Sequence, residues 1–255
     1  TVRELISDSD RQAQGMKLVA DRVNAAAAVS LMDLSVEAEC FGATIRVSDE
    51  EVPTVVGRLV NDEEEANALE VPSVGAARSG LYVESIRKAV QIITDRPVLA
   101  GIIGPFSLAA RLLDVTEIMM DCYDEPDMVH TVLEKATAFL IEYAKAYKAA
   151  GADGIMIGRA TFGDPWIFRQ VKAAMAGEEI PERPALKERI AVAVEQFKLS
   201  ETDHGEYIAC LEARKHFAWY LRGVSHSNFY KEQISAISTM EDVYRIAKDI
   251  QKNLQ

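Results

Sequence analysis

AGADGIMIGRATFGDPWIF, residues 150–168, decides how this chain is read. A helical run ends there at Gly151, a residue type suited to closing a helix. The short all-apolar segment that follows has the pattern of a strand buried on both faces of a parallel sheet. Then come Gly158-Arg159, a loop holding Gly163 and Pro165, and an aromatic helix start at Trp166. The two sides of this stretch differ in style. Before it, apolar strand-like runs alternate with helical patterns. After Trp166 no further strong strand pattern occurs.

Working back from the stretch, residues 125–149 form the clearest helical pattern. Pro126 sits near the first turn, and Val129, Leu133, Ala136, Leu140 and Tyr143 recur on one face. RPVLAGIIGPFSLAARLL (96–113) reads as a buried strand, then Gly104-Pro105 opening a helix. Residues 79–95 place Leu81, Ile86, Val90 and Ile93 at helical spacing. The acidic segment 48–69 is loop-like, with a helix start at Asn61-Asp62 and three Glu in its first turn, where negative charge is favourable. Residues 25–47 start as a strand, meet Asp33, Glu37 and Glu39, and end in a short extended segment; residues 1–24 are a polar, mostly helical lead-in. Forward from the stretch, 184–200, 207–223, 227–237 and 239–254 all read as helices, the last opened by Thr239 with Asp242 in a capping-box spacing.

Strand–helix alternation of this kind makes an α/β fold with parallel strands. The expectation is a partial (βα) TIM-barrel-like unit over residues 1–180, a changeover near 150–160, and a C-terminal helical bundle over 185–255. Three to four such units are too few to close an eight-stranded barrel. An open half leaves sheet edges exposed, so pairing with a second copy, or repacking under the helical tail, is expected.

The 255 residues are 49% hydrophobic and 27% charged, an ordinary globular composition with a formal net charge of −12. That sign argues against coating nucleic acid through charge alone. All of it lies before residue 158, where 14 Lys and Arg face 26 Asp and Glu; 14 of each follow. Such acidity is ordinarily a solvated surface. Cys40, Cys122 and Cys210 are scattered with no CxxC or HxC spacing, which excludes a disulfide framework or a cysteine-based zinc site as sequence readings. No signal-peptide pattern is visible, and the longest apolar runs, such as VLAGIIG (98–104), are far too short for a bilayer span. A cytoplasmic setting without a membrane partner is the expectation.

MDLSVEAECFG (32–42) places Asp33 just past a strand's C-terminal end, where barrel active sites are built. Asp33 there either accepts hydrogen bonds from a ligand's N–H groups or caps the next segment. Together, AAVSLMDLSVEAECFGATIRV (27–47), EEVPTVVGRLV (50–60), RPVLAGIIGPFSLAARLL (96–113) and EPDMVHTVLEKATAFLIEYAKAYKAAGADGIMI (125–157) resemble the uroporphyrinogen decarboxylase superfamily. Within it they are closer to the cobamide methyltransferase branch, which moves methyl groups between a corrinoid and a thiol. The resemblance covers residues 1–157 in the family's motif order, and the family's own start is missing. It implies a tetrapyrrole or corrinoid ligand, with the residue matching Asp33 on the pyrrole nitrogens. Where the decarboxylase branch has a Tyr after the Gly-Pro strand end, this chain has Arg111, which speaks against decarboxylation and makes Arg111 a candidate ligand-binding residue. The methyltransferase branch activates its thiol on zinc held by a His-x-Cys pair and a later Cys. His204, His216 and His226 have no Cys two residues on, so no metal ligands are assigned.

Gly158 and Arg159 suit a phosphate site, since Gly lets backbone approach closely and Arg supplies charge; a structural turn is the simpler reading of the pair alone. DGIMIGRATFGDPWIF (153–168), however, is similar to the last barrel strand of tRNA-dihydrouridine synthases, and GEYIACLEARKHFAWYLRGVSHSNFYKEQISAI (205–237) resembles their C-terminal helical domain. This resemblance covers residues 150–255. It implies flavin mononucleotide (FMN) phosphate on Gly158 and Arg159, and tRNA contact through Arg214, Lys215, Tyr220 and Arg222. A helix with an aromatic core face and solvated charges is the simpler reading of the last four. The synthases' catalytic Cys, in an Asn-x-Gly-Cys-Pro context, has no counterpart here. Three functional expectations follow: a tetrapyrrole- or corrinoid-binding methyltransferase relative, a flavin- or tRNA-binding synthase relative, and a chimeric scaffold without catalysis.

Overall fold

The protein is described as a computed structural model over residues 1–155 and 161–254. It packs as two compact units, Thr1–Met156 and Ile157–Gln255, each around its own apolar core.

In the first unit α1 (Val2–Ile6) and α2 (Ser9–Arg22) lead into β1 (Ala28–Val29). Next come α3 (Val36–Cys40), a hairpin of β2 (Ile45–Arg46) and β3 (Thr54–Val55), α4 (Glu63–Ala68) and α5 (Ser79–Ile92). Then follow β4 (Val98–Ala100), α6 (Pro105–Leu112), α7 (Glu117–Asp124), α8 (Pro126–Ala149) and β5 (Gly154–Ile155). The strands β1, β4 and β5 lie side by side in that order, all parallel, with Val29 opposite Leu99 and Ala100 opposite Ile155. These are the three runs whose apolar pattern read as core strands. Val98 and Ala100 are fully buried, as a central strand between layers of helix requires. Asp153 fixes the register of β5: its N–H donates to Val98 O at 2.9 Å and its carboxylate accepts the Val98 N–H at 2.8 Å.

The helices start where local chemistry says they should. Asp62 caps α4 by accepting Glu65 N–H. Pro105 and Pro126 occupy first-turn positions of α6 and α8. Gly151, at φ +100°, turns the chain out of α8 into β5. Along α8 Val129, Ala136, Leu140 and Tyr143 are buried and Leu133 partly so. Two elements differ from the sequence reading. Residues 36–40 are a helical turn rather than open loop, and the acidic segment contains β3. Five- and two-residue elements are too short to show a period.

In the second unit the described elements are all helices: α9 (Ile167–Ala176), α10 (Leu186–His204), α11 (Glu206–Tyr220), α12 (Asn228–Ser235) and α13 (Met240–Asn253). Phe197, Phe217, Ile190, Ile234, Ile246 and Ile250 are fully buried between them. Trp166 belongs to this core, its ring edge-on to Tyr220 at 6.5 Å. Trp166, near the end of the stretch 150–168, therefore packs with the helices that follow it.

Candidate functional site

Beyond β1 the chain turns sharply at Asp33. Its Oδ1 accepts the Ser35 N–H at 3.0 Å and the Ser35 hydroxyl at 2.6 Å, which folds the loop back on itself and starts α3. Its Oδ2 accepts the Arg78 guanidinium and, at 3.2 Å, the Tyr82 hydroxyl. Arg78, at the mouth of α5, also reaches Glu39 at 2.6 Å and the Ser35 hydroxyl at 2.9 Å. The Asp33 side chain is 0% exposed and that of Arg78 is 16%, so four donors converge on one buried carboxylate. Burial alone would push the Arg78 guanidinium down, but Asp33 and Glu39 together hold its proton more firmly than usual.

In the first turn of α3 lies Glu37, 4% exposed. Its Oε1 accepts the Ile103 N–H at 3.2 Å, while Oε2 is buried with no hydrogen-bond partner among the described residues. Burial pushes the Glu37 carboxyl up to about 7; Asp33 adds to this, and the Ile103 N–H and Arg111 oppose it. A small cavity of about 10 Å3 sits between Glu37, Asp33, Tyr82, Gly101, Tyr143 and Tyr147. That is about the space of one water. The Tyr147 and Tyr143 hydroxyls are 2.7 Å apart, and their rings lie 4.5 Å centroid to centroid.

Met32 and Leu34, in the wall of this cavity, also line an outer cleft of about 290 Å3 with Ser35, Thr54, Arg111 and Asp114. Arg111, on the last turn of α6, is half-buried. Among the described residues its one hydrogen bond goes to Ser107 O at 3.3 Å, and it has no carboxylate within ion-pair distance. Burial pushes its pKa down, against the pull of Glu37 and Asp33. The structure thus brings Asp33 and Arg111 to one region. It adds Arg78, Tyr82, Glu37, Tyr143 and Tyr147, of which the sequence reading named only Glu37, as an acidic residue interrupting an apolar run, and Tyr143, as part of the apolar face of the long helix.

Gly158 and Arg159 lie outside the described residues. Arg214, Lys215 and Arg222 are exposed in the second unit. Arg214 donates to Ile237 O at 2.6 Å, and Arg222 lies over the Trp219 ring at 4.4 Å. Tyr220 is a core residue, 3% exposed, its hydroxyl bonded to Gln196 at 2.7 Å. Arg189 and Arg183 wrap the end of α11: Arg189 donates to Tyr220 O and Arg222 O, and Arg183 to Arg222 O and Gly163 O. Among the described residues no group of three or more His, Cys, Asp or Glu could hold a metal ion, and no helix is long and apolar enough to cross a membrane. Cys40 is held against Val36 O and Ala76 O, both at 3.2 Å, and burial pushes its thiol up.

Comparison with known proteins finds two families in one chain, their matches overlapping over residues 139–176. The uroporphyrinogen decarboxylase family model matches residues 1–176, and the dihydrouridine synthase model matches residues 139–255. The two overlap across the stretch 150–168. The tRNA-dihydrouridine synthase B of Pasteurella multocida is 32% identical over 108 residues, 42% of this chain and 30% of that protein. A probable tRNA-dihydrouridine synthase of Rickettsia conorii is 30% identical over 118 residues, 45% of this chain and 35% of that one. The chain thus spans about a third of the length of these relatives. A methyltransferase from Methanosarcina mazei shares the fold with a TM-score of 0.55 at 22% identity, over 72% of this chain and 52% of that one.

Proposed function

We propose that this chain, which belongs to the uroporphyrinogen decarboxylase family and carries a dihydrouridine-synthase-like tail, binds one edge of an acidic tetrapyrrole or corrinoid at the ends of β1 and β4. The observation that carries this reading is the half-buried Arg111, without a carboxylate within ion-pair distance among the described residues, facing a cleft beside the Asp33–Arg78–Tyr82 network. A guanidinium so placed pairs with a ligand carboxylate. Asp33 has all its acceptor positions engaged, so a pyrrole N–H reaches it by displacing the Tyr82 hydroxyl, the longest of the four contacts. About 290 Å3 is at the small end of ligand pockets, roughly 300–1,000 Å3; one edge of a macrocycle fits, with the rest in solvent. In this reading the three parallel strands are the first part of a (βα) barrel, the methyltransferase-like activity lacks its zinc ligands, and binding rather than catalysis is the surviving function, in a cytoplasmic setting.

The test is a visible absorption titration with coproporphyrin and with cobalamin, in the wild-type chain and in Arg111→Gln. Saturable binding of either, weakened at least tenfold by the substitution, supports the reading. A protein that binds neither sinks it. Added FMN in the same cell addresses the phosphate reading of Gly158 and Arg159.

A second reading concerns the tail. Arg214, Lys215 and Arg222 are exposed cations on and just after one helix, and the curated relatives named above are tRNA-dihydrouridine synthases. Binding of tRNA by this unit predicts an affinity that falls steeply with salt, and an Arg214→Ala/Lys215→Ala double variant that weakens it. Salt-independent or absent binding overturns this. We further propose self-association through β1 and β5, the outer strands of the described sheet. Sedimentation of a monomer at all accessible concentrations would exclude it.

A further inference from the structure

The buried carboxyl behind the cleft has a part to play in that same site. Glu37 and Arg111 sit on elements that pack together: α3 contacts α6, and Glu37 Oε1 is bonded to the Ile103 N–H immediately before α6. The cavity holding Glu37 and the cleft holding Arg111 share the walls Met32 and Leu34. Neither group has a strong partner of its own. Among the described residues Glu37 Oε2 has no hydrogen bond, and Arg111 has one long contact to a main-chain carbonyl. The other titratable or charged groups facing Glu37 are already committed. Asp33 and Arg78 are paired with each other, Tyr82 donates to Asp33, Tyr143 and Tyr147 are bonded together, and Cys40 is held against two carbonyls. The three tyrosines are pushed well above their ordinary range by burial and Cys40 above its own, so none of the four changes charge near neutrality. The one group left to change the charge behind Arg111 is Glu37, whose carboxyl burial raises to about 7.

We infer that Glu37 is a proton-operated gate on the anion site at Arg111. With a proton on Glu37, taken from bulk water, the Arg111 charge is opposed only by the constant charges of Asp33, itself paired with Arg78, and of Asp114 at the cleft, and the cleft holds an anion. With Glu37 ionised, its buried charge competes for Arg111 and repels the incoming anion. By reciprocity, an anion on Arg111 makes Glu37 hold its proton more tightly. This rests on the reading of Arg111 as a ligand-binding residue, and it requires no particular ligand beyond its negative charge.

Sulfate is the probe, because its own charge is constant across the range. Sulfate affinity is measured by calorimetry on the whole chain at about pH 5.5 and about pH 8.5, either side of the raised carboxyl. The expected result is binding about tenfold weaker at the higher pH, about 1.4 kcal/mol of repulsion from one buried charge. Glu37→Gln should bind equally well at both, and Arg111→Gln should bind at neither. A pH dependence that survives in Glu37→Gln overturns the gate, as does sulfate binding that ignores pH in the wild type. Should Glu37→Gln fail to fold, the wild type alone decides. The side-chain carboxyl resonance of 13C-labelled Glu37 should titrate at a higher pH in saturating sulfate than without it, and an unmoved midpoint overturns the proposal. The two readings fail separately. Pyrrole ligands that do not bind, with sulfate still gated, remove the tetrapyrrole reading alone. Porphyrin that binds Arg111 with no dependence on Glu37 removes the gate alone.

Discussion

Asp33 and Arg78 show how much one contact can organise. Removing one partner of a buried ion pair leaves the other charge uncompensated, at a cost of about 3–5 kcal/mol. Arg78→Ala should therefore destabilise the first unit by about 3 kcal/mol, read from urea unfolding by far-ultraviolet circular dichroism. Arg78→Lys should recover only part, because a single ammonium cannot span Asp33, Glu39 and Ser35 as the planar guanidinium does. Glu37 gives a prediction of opposite kind. Its folded carboxyl is raised, so the stabilising effect of its proton is fully present below the ordinary carboxyl range and is lost as pH rises through about 7. Unfolding free energy should fall across that interval in the wild type and fall less in Glu37→Gln. At this scale the sequence marked Asp33, because a carboxylate past a strand end is a recognisable position. It gave no hint of Arg78, which sits 45 residues further on and meets Asp33 only when α5 packs beside the β1 loop.

At the level of elements, caps and turns were the most legible features. Thr239 and Asp242 form the capping box that their spacing suggested, each side chain accepting a main-chain N–H of the other residue. Thr239→Ala should cost about 1 kcal/mol. Asp242 is held below the usual carboxylate range, first by the Ser238 N–H and then by Thr239. Its contribution is present above that range and lost as pH falls below it, so Asp242→Asn should flatten the acid limb of the second unit's stability. Gly163 is a second element-scale test. At φ +68°, an added Cβ there would overlap the main chain of Trp219 and Tyr220. Main chain in a helix's last turn cannot yield, so Gly163→Ala should cost more than the roughly 1 kcal/mol usual for an unsuited backbone angle. The measurement is the Tm by tryptophan fluorescence, and an unchanged value would contradict this packing. The strand β3, the hairpin pairing of β2 with it and the turn α3 escaped the sequence reading because two to five residues carry no periodicity, and their place is decided by what they pack against.

Across the whole molecule, the two cores share no residue: one is drawn from residues up to 150, the other from Trp166 onward. Both tryptophans, Trp166 and Trp219, lie in the second unit, and the first has none. Separate cores unfold as separate cooperative units. Tryptophan fluorescence should therefore follow one transition and circular dichroism two, with Arg78→Ala moving only the transition that fluorescence does not see. A single coincident transition by both probes would show that the units are energetically coupled.

The sequence by itself determined the three parallel strands, the long helices with their caps, and the change of ancestry inside AGADGIMIGRATFGDPWIF. All of these are local patterns of apolar spacing and capping chemistry, written within about twenty residues of one another. Only the tertiary structure decided which side chains meet. The convergence of Arg78, Tyr82, Tyr143 and Tyr147 on the loop of Asp33 and Glu37 joins positions far apart in the chain. So do the burial of Tyr220 behind Trp166 and the exposure of Arg214 and Arg222. Burial and pairing are properties of packed elements, and a carboxyl such as Glu37 acquires its unusual proton affinity only when the core closes around it.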